Sequence, residues 1–129
     1  MADEAFPPEW YTPLTFLTAE ELLRRYADGE RRFAHIDMCD VSLAGSALDG
    51  AIFEWSWFHS ADFRGCKLRG ASFRSCNVKC ADFSNADLRG AAFQAALEEA
   101  NFDGAALEGA SFEGSSCYGN TIHAGDDFP

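Results

Sequence analysis

Residues 61–93 read, in blocks of five, ADFRG CKLRG ASFRS CNVKC ADFSN ADLRG AAF. The large apolar residue of each block recurs at a strict spacing of five. The same register extends upstream, giving centres at Met38, Leu43, Leu48, Phe53, Phe58, Phe63, Leu68, Phe73, Val78, Phe83, Leu88 and Phe93. A fixed period of this kind marks an internal repeat. Two places before most centres stands a small residue, among them Ala51, Ala61, Cys66, Ala71, Cys76, Ala81, Ala86 and Ala91.

A period of five matches neither the 3.6 of a helix nor the 2.0 of a strand, so no single regular element keeps every centre facing one core. The chain has to turn once per block. Small residue and centre, two apart on an extended segment, share the inward side, and the bend lets the next block begin again on a new side. Gly45, Gly50, Gly65, Gly70 and Gly90 lie two places after a centre, where that bend falls. Glycine tolerates the dihedrals a bend demands. Stacked coils of such blocks satisfy one another's backbone groups about 4.8 Å apart, around an interior of Leu and Phe.

These blocks resemble the pentapeptide-repeat family, with its pattern A-(D/N)-L/F-x-x; ADFRG (61–65), ADFSN (81–85), ADLRG (86–90) and ANFDG (100–104) are close matches. The resemblance covers residues 36–124. It implies an all-β solenoid, a right-handed four-sided β-helix with four blocks per coil. The motif is specific for fold and nearly silent on activity, because its defining residues are core and bend residues. From Phe93 the next centre is Leu97, four residues on, after which Phe102, Leu107, Phe112, Cys117 and Ile122 restore the spacing of five. One residue is missing at a corner, either as a tightened bend or as a partner-binding irregularity of the kind bulges create.

Upstream, Thr18-Ala19-Glu20-Glu21 reads as a capping box, Leu17 and Leu22 as a hydrophobic staple, and Gly29 as a helix stop. A short helix over 19–28 follows, its Leu22, Leu23 and Tyr26 forming an apolar stripe suited to covering the open top coil. The organisation is an amino-terminal aromatic segment with capping helix (1–35), the repeat solenoid (36–124) and an acidic tail (125–129). An uncovered solenoid end invites association. With no second helix in sight, the carboxyl-terminal coil is expected to self-associate weakly.

The 129 residues carry 10 Lys and Arg against 21 Asp and Glu, a formal charge of −11. That balance disfavours direct contact with nucleic acid or an anionic membrane. Residues 1–17 begin acidic and hold Pro7, Pro8 and Pro13, unlike a signal peptide or membrane span. A cytoplasmic protein is the expectation. The repeat phases point Cys66, Cys76 and Cys117 inward and leave Cys39 and Cys80 outward or at bends, so the five cysteines read as free thiols. His35, His59 and His123 do not align on one side, and no nucleophile falls beside a base. Neither metal, cofactor nor enzyme activity is expected.

Two surface features stand out. Arg64, Lys67, Arg69, Arg74, Lys79 and Arg89 dominate the middle of the chain, whereas residues 95–129 hold Glu98, Glu99, Asp103, Glu108, Glu113, Asp126 and Asp127 with no Lys or Arg. This acidic end is either ordinary solubilising surface or a face for a basic partner. Around Phe53 and Phe58, residues Ile52, Trp55, Trp57 and His59 fall at outward or corner positions. Exposed tryptophans are enriched where proteins bind, so this patch is covered by the chain's own segment around Trp10 and Tyr11 or by a partner. The function these features suggest is a non-enzymatic scaffold for protein–protein interaction, its partner an unidentified protein. The alternative resembles the family's DNA-mimicking members, which present an acidic β-helix to type II topoisomerases such as gyrase. Those relatives are longer rods that dimerise through a carboxyl-terminal module, for which nothing after Ile122 provides.

Overall fold

The computed structural model describes residues 13–129. The chain winds into a β-solenoid of about five turns with one short helix. Each five-residue block is one side, and four blocks return the chain to a position twenty residues on. On the first side β2 (Arg32–Ala34), β4 (Ile52–Glu54), β5 (Ser72–Asn77) and β6 (Ala92–Ala96) stack in parallel, pairing Phe33 with Phe53 and Phe53 with Phe73. The second side begins with β3 (Ile36–Asp37) and continues through Trp57 to Asn77, the latter within β5. The third and fourth sides are held by single ladder pairs such as Ser42 with Asp62 and Ala47 with Lys67.

The bends follow from turn chemistry. At most corners the amide after the bend returns to the carbonyl of the preceding centre, as Val41 does to Met38 at 3.2 Å and Ser46 to Leu43 at 3.0 Å. The residue two past the centre has positive φ, 62° at Asp40 and 74° at Gly45. This is the type II signature, so glycine recurs there, although Ser60, Cys80 and Asn85 also adopt it. The corner between the first and second sides differs. There Trp55 and Ser75 take φ values of 53° and 57°, and fully buried Ser56 supplies a hydroxyl to the amide of Ile36 at 3.2 Å.

Inside, the centres form columns. Phe33, Phe53, Phe73, Phe93 and Phe112 line the first side, with centroid separations from 4.8 to 5.9 Å between successive rings. Phe63, Phe83 and Phe102 line the third, near-parallel at 4.8 and 5.2 Å. The two columns meet edge to face, as at Phe73 and Phe83. Such pairs add to the free energy of burial itself. The missing residue lies at the corner after Gln94: Ser75 has no counterpart in the next coil, and β6 runs straight through where β5 shifts register. Ladder partners below the break are therefore nineteen apart, Asp82 with Asn101 and Asp87 with Ala106.

Both ends are finished. At the top, α1 (Ala19–Ala27) is capped by the hydroxyl of Thr18, which accepts from the amide of Glu21 at 3.2 Å. It buries Leu22 in the core, and its Tyr26 hydroxyl donates to the carbonyl of Asp49 at 2.7 Å. Before it, β1 (Thr15–Phe16) adds a rung above β3 and buries the following Leu17.

The bottom corrects the sequence reading. After β7 (Ser116–Cys117) the chain reverses through Tyr118 and Gly119, and β8 (Asn120–Thr121) pairs with β7 antiparallel. Cys117, expected inward, is only half-buried, because its coil is never completed. Ile122 does reach the interior, but through this hairpin, with its amide on the carbonyl of Ser115 at 2.8 Å. Phe128 then packs on Phe112, the ring centroids 5.1 Å apart. The end expected to be uncapped carries a hairpin and an aromatic plug.

Candidate functional site

The acidic side chains divide into two groups with different roles. Those in the second place of a repeat serve the fold. Asp62 accepts the amide of Arg64 at 3.0 Å, Asp82 that of Ser84 at 2.9 Å and Asp87 that of Arg89 at 3.3 Å. Asn77 and Asn101 do the same for Lys79 and Asp103, so charge is incidental to this job. The arginines then close on these carboxylates. The Arg64 guanidinium on Asp62 and that of Arg89 on Asp87 lower both carboxyl groups to about 2. On the fourth side Arg69 bridges two coils, 2.7 Å from Asp49 and 3.9 Å from Asp87.

The acidic end does not form one surface. Glu98 follows the second-side centre Leu97 and pairs with Lys79 at 3.1 Å, while Glu99 accepts from the hydroxyl of Tyr118. Asp103, Glu108 and Glu113 follow Phe102, Leu107 and Phe112 on the third, fourth and first sides. These carboxylates therefore ring the last full coil, and no side carries a row of them.

The tryptophan patch is partly brought together. Trp57 stands outward on the second side at 51 % exposure, its amide donating to the carbonyl of Ile36 at 2.9 Å. Asp37 is directly above it and Asn77 below. Above Asp37, in the same column, is Phe16 at 66 % exposure. Ile52 is exposed on the adjoining first side. Trp55 is half-buried at the corner between them, with its amide on the carbonyl of Arg74 at 3.1 Å. His59 is exposed at the next corner beside Ser60, whose Oγ lies 3.1 Å from its Nδ1. Coverage of this patch by Trp10 and Tyr11 lies outside the described residues.

Phe16 is the member that sequence reasoning did not place on this surface. The signal available was the pair Phe16-Leu17, one residue turned out and the next in, but outside the repeat register its direction was not legible. Among the described residues no three His, Cys, Asp or Glu side chains form a group that could hold a metal ion. The Ser60–His59 contact joins chain neighbours on an exposed corner, and among the described residues no further side chain orients the imidazole. Burial pushes the thiols of Cys66 and Cys76 up to about 11 and about 12, the opposite of nucleophile activation. No described helix is long and apolar enough to cross a membrane.

Comparison with known proteins is consistent with this architecture. A family profile described as pentapeptide repeats matches residues 32–65, 66–96 and 93–119, in eight copies. The chain is similar to the crystal structure of alr5209, a pentapeptide repeat protein from Nostoc Pcc 7120. The identity is 29 %, the TM-score 0.68, and the match covers 90 % of this chain and 92 % of that one. It is also similar to QnrB1, a plasmid-mediated fluoroquinolone resistance protein, at 22 % identity and a TM-score of 0.62. That match covers 65 % of this chain and 44 % of the other, and the likeness is one of fold. No curated protein matches the chain by sequence.

Proposed function

With the repeat profile spanning residues 32–119, the chain belongs to the pentapeptide-repeat family, and from that premise we propose that it is a non-enzymatic scaffold that docks a protein on its upper coils. The observation that carries this reading is the column in which Phe16 and Trp57 stand outward, 66 % and 51 % exposed, with Ile52 beside them. Aromatic side chains on a rigid surface lose little conformational freedom on binding and supply much of an interface's energy. Here Trp57 is fixed by backbone bonds to the coil above and its own centre Phe58 by one to the coil below. His59 and Asn77 form a polar rim.

The reading as an acidic DNA mimic for gyrase has less support. The repeat-position aspartates are engaged in turns and arginine contacts, and the remaining acids encircle the last coil. Self-association through the carboxyl-terminal coil is likewise disfavoured by the β7–β8 hairpin and Phe128 at that end. The test is a photo-crosslinking side chain placed at Trp57 and, separately, at Ala106 on the fourth side, each exposed to an extract of the native source. A discrete partner crosslinked from position 57 and not from 106 is expected. Equal labelling from both positions removes the reading, and inhibition of gyrase supercoiling by the purified protein would restore the alternative.

A further inference from the structure

Below Ile52 the outer surface of the first side changes character. The column Ser72, Ala92, Ser111 offers only small side chains, and the neighbouring column carries Arg74, Gln94 and Glu113. Together they border a groove of about 430 Å³. That volume lies within the range of sites that take small ligands. The register break borders it on one edge, since Ser75 has no counterpart beyond Gln94 and β6 passes that corner without a bulge.

The charged side chains of the groove are unspent, whereas Ser111 Oγ accepts the amide of Glu113 at 3.3 Å. Higher on the same side, Arg32 and Glu54 pair at 3.2 Å. Among the described residues neither Arg74 nor Glu113 has an ion-pair partner, although they carry opposite charges two coils apart, about 9.6 Å along the axis. Between them the side chain of Gln94 lies against Gly114: a Cβ on that glycine would meet Cγ of Gln94 at 3.2 Å and Nε2 at 3.4 Å. Its amide, one donor group and one acceptor, lies in the groove between the two charges.

We propose that this groove binds an extended peptide lying along the solenoid axis, with an acidic side chain on Arg74, a basic one on Glu113, and the intervening main chain against Gln94. The small column lets a backbone approach closely. Same-side residues of an extended peptide are about 6.8 Å apart, and the reach of long side chains covers the remaining distance of about 3 Å. The pattern recognised is therefore acidic-x-basic, read in either chain direction. This inference uses other residues than the aromatic patch and stands or falls separately from it.

The test titrates the isotope-labelled full chain with three capped tripeptides, acetyl-Glu-Ala-Lys-amide, acetyl-Glu-Ala-Glu-amide and acetyl-Lys-Ala-Lys-amide, and follows amide shifts by NMR. Exposed ion pairs are individually weak, so binding in the millimolar range is expected, with the mixed-charge peptide ahead by about fivefold. Its shifts should map to Arg74, Gln94 and Glu113. Arg74→Glu should transfer the preference to the Lys-Ala-Lys peptide, and Glu113→Lys to the Glu-Ala-Glu peptide. Both positions are exposed, and a thermal melt checks that each variant is folded. No shift at roughly 5 mM peptide, an equal response to all three, or variants that leave the preference unchanged overturns the proposal.

Discussion

The hydroxyl of Ser56, itself fully buried, accepts the amide of Ile36 from the coil above at 3.2 Å and donates to the carbonyl of Glu54 at 2.9 Å. Ser115, three coils below Ser56, likewise accepts the amide of the coil above, that of Ala95, at 3.0 Å. These are the two buried polar side chains among the described residues, and both sit where the first side turns into the second. At Ile36 and Ala95 a serine hydroxyl from the coil below takes the place of the usual bend hydrogen bond, whereas the last coil keeps it, with the amide of Ser115 on the carbonyl of Phe112 at 3.0 Å.

Ser56→Ala should therefore cost about 1–3 kcal/mol in urea unfolding, since it leaves a buried amide without a partner. Ser56→Cys should cost less, because the next coil carries Cys76 at the equivalent position, its Sγ donating to the carbonyl of Phe53 at 3.4 Å. Equal losses for the two variants would show that volume, rather than the hydrogen bond, decides the site.

Phe73→Ala removes a fully buried ring packed at 5.1 Å on Phe53 and 4.8 Å on Phe93. The expected loss is about 3–5 kcal/mol. Its outward neighbour Ser72→Ala should change stability by less than about 0.5 kcal/mol, measured in the same denaturant series.

Asp87→Asn keeps a side-chain carbonyl to accept the Arg89 amide, as Asn101 does for Asp103, and loses only the exposed ion pairs to Arg89 and Arg69. Its cost should stay below about 1 kcal/mol, with Asp87→Ala the more damaging change. The pH dependence has a defined sign. The carboxyls of Asp62 and Asp87 are lowered from 3.8 to about 2 by their arginine partners. Their contribution is complete above the unfolded value and is lost as pH falls through about 2. Carboxyl NMR should find both still titrating below pH 3.8.

All five cysteines should titrate as free thiols in the denatured protein. In the folded protein Cys80 should react first, Cys39 and Cys117 next, and Cys66 and Cys76 only on unfolding. The raised thiols of Cys66 and Cys76, about 11 and about 12, stabilise the fold fully below their unfolded value. That stability is lost as pH rises toward the folded values, so Cys66→Ala should flatten the alkaline decline.

The repeat made most of the fold legible. Centres from Met38 to Phe112 face inward as their spacing demands, with only Leu107 left half-buried in the last full coil, and the omission between Phe93 and Leu97 falls at a corner. What escaped was set by position off the period. Ile122 keeps the spacing of five yet arrives by a reversed strand, because Tyr118 and Gly119 turn the chain back. Ser56 and Ser115 occupy the small inward place, where serine gives no sign of the amide it serves. For the candidate site, the repeat phase put Ile52, Trp55, Trp57 and His59 at outward or corner positions, and of these Ile52, Trp57 and His59 are exposed and Trp55 half-buried. Phe16 needed the β1–β3 pairing to bring it into the column of Trp57.

The most direct test of the docking surface is the affinity of the partner crosslinked at position 57 for wild type and for the double variant Ile52→Ala with Trp57→Ala, by calorimetry. Both residues are outward, so the melting temperature should be retained while affinity falls by about thirtyfold, as expected for removal of a hot-spot aromatic. An affinity unchanged within about twofold, in a variant that melts like wild type, would contradict the assignment of this surface as the docking site.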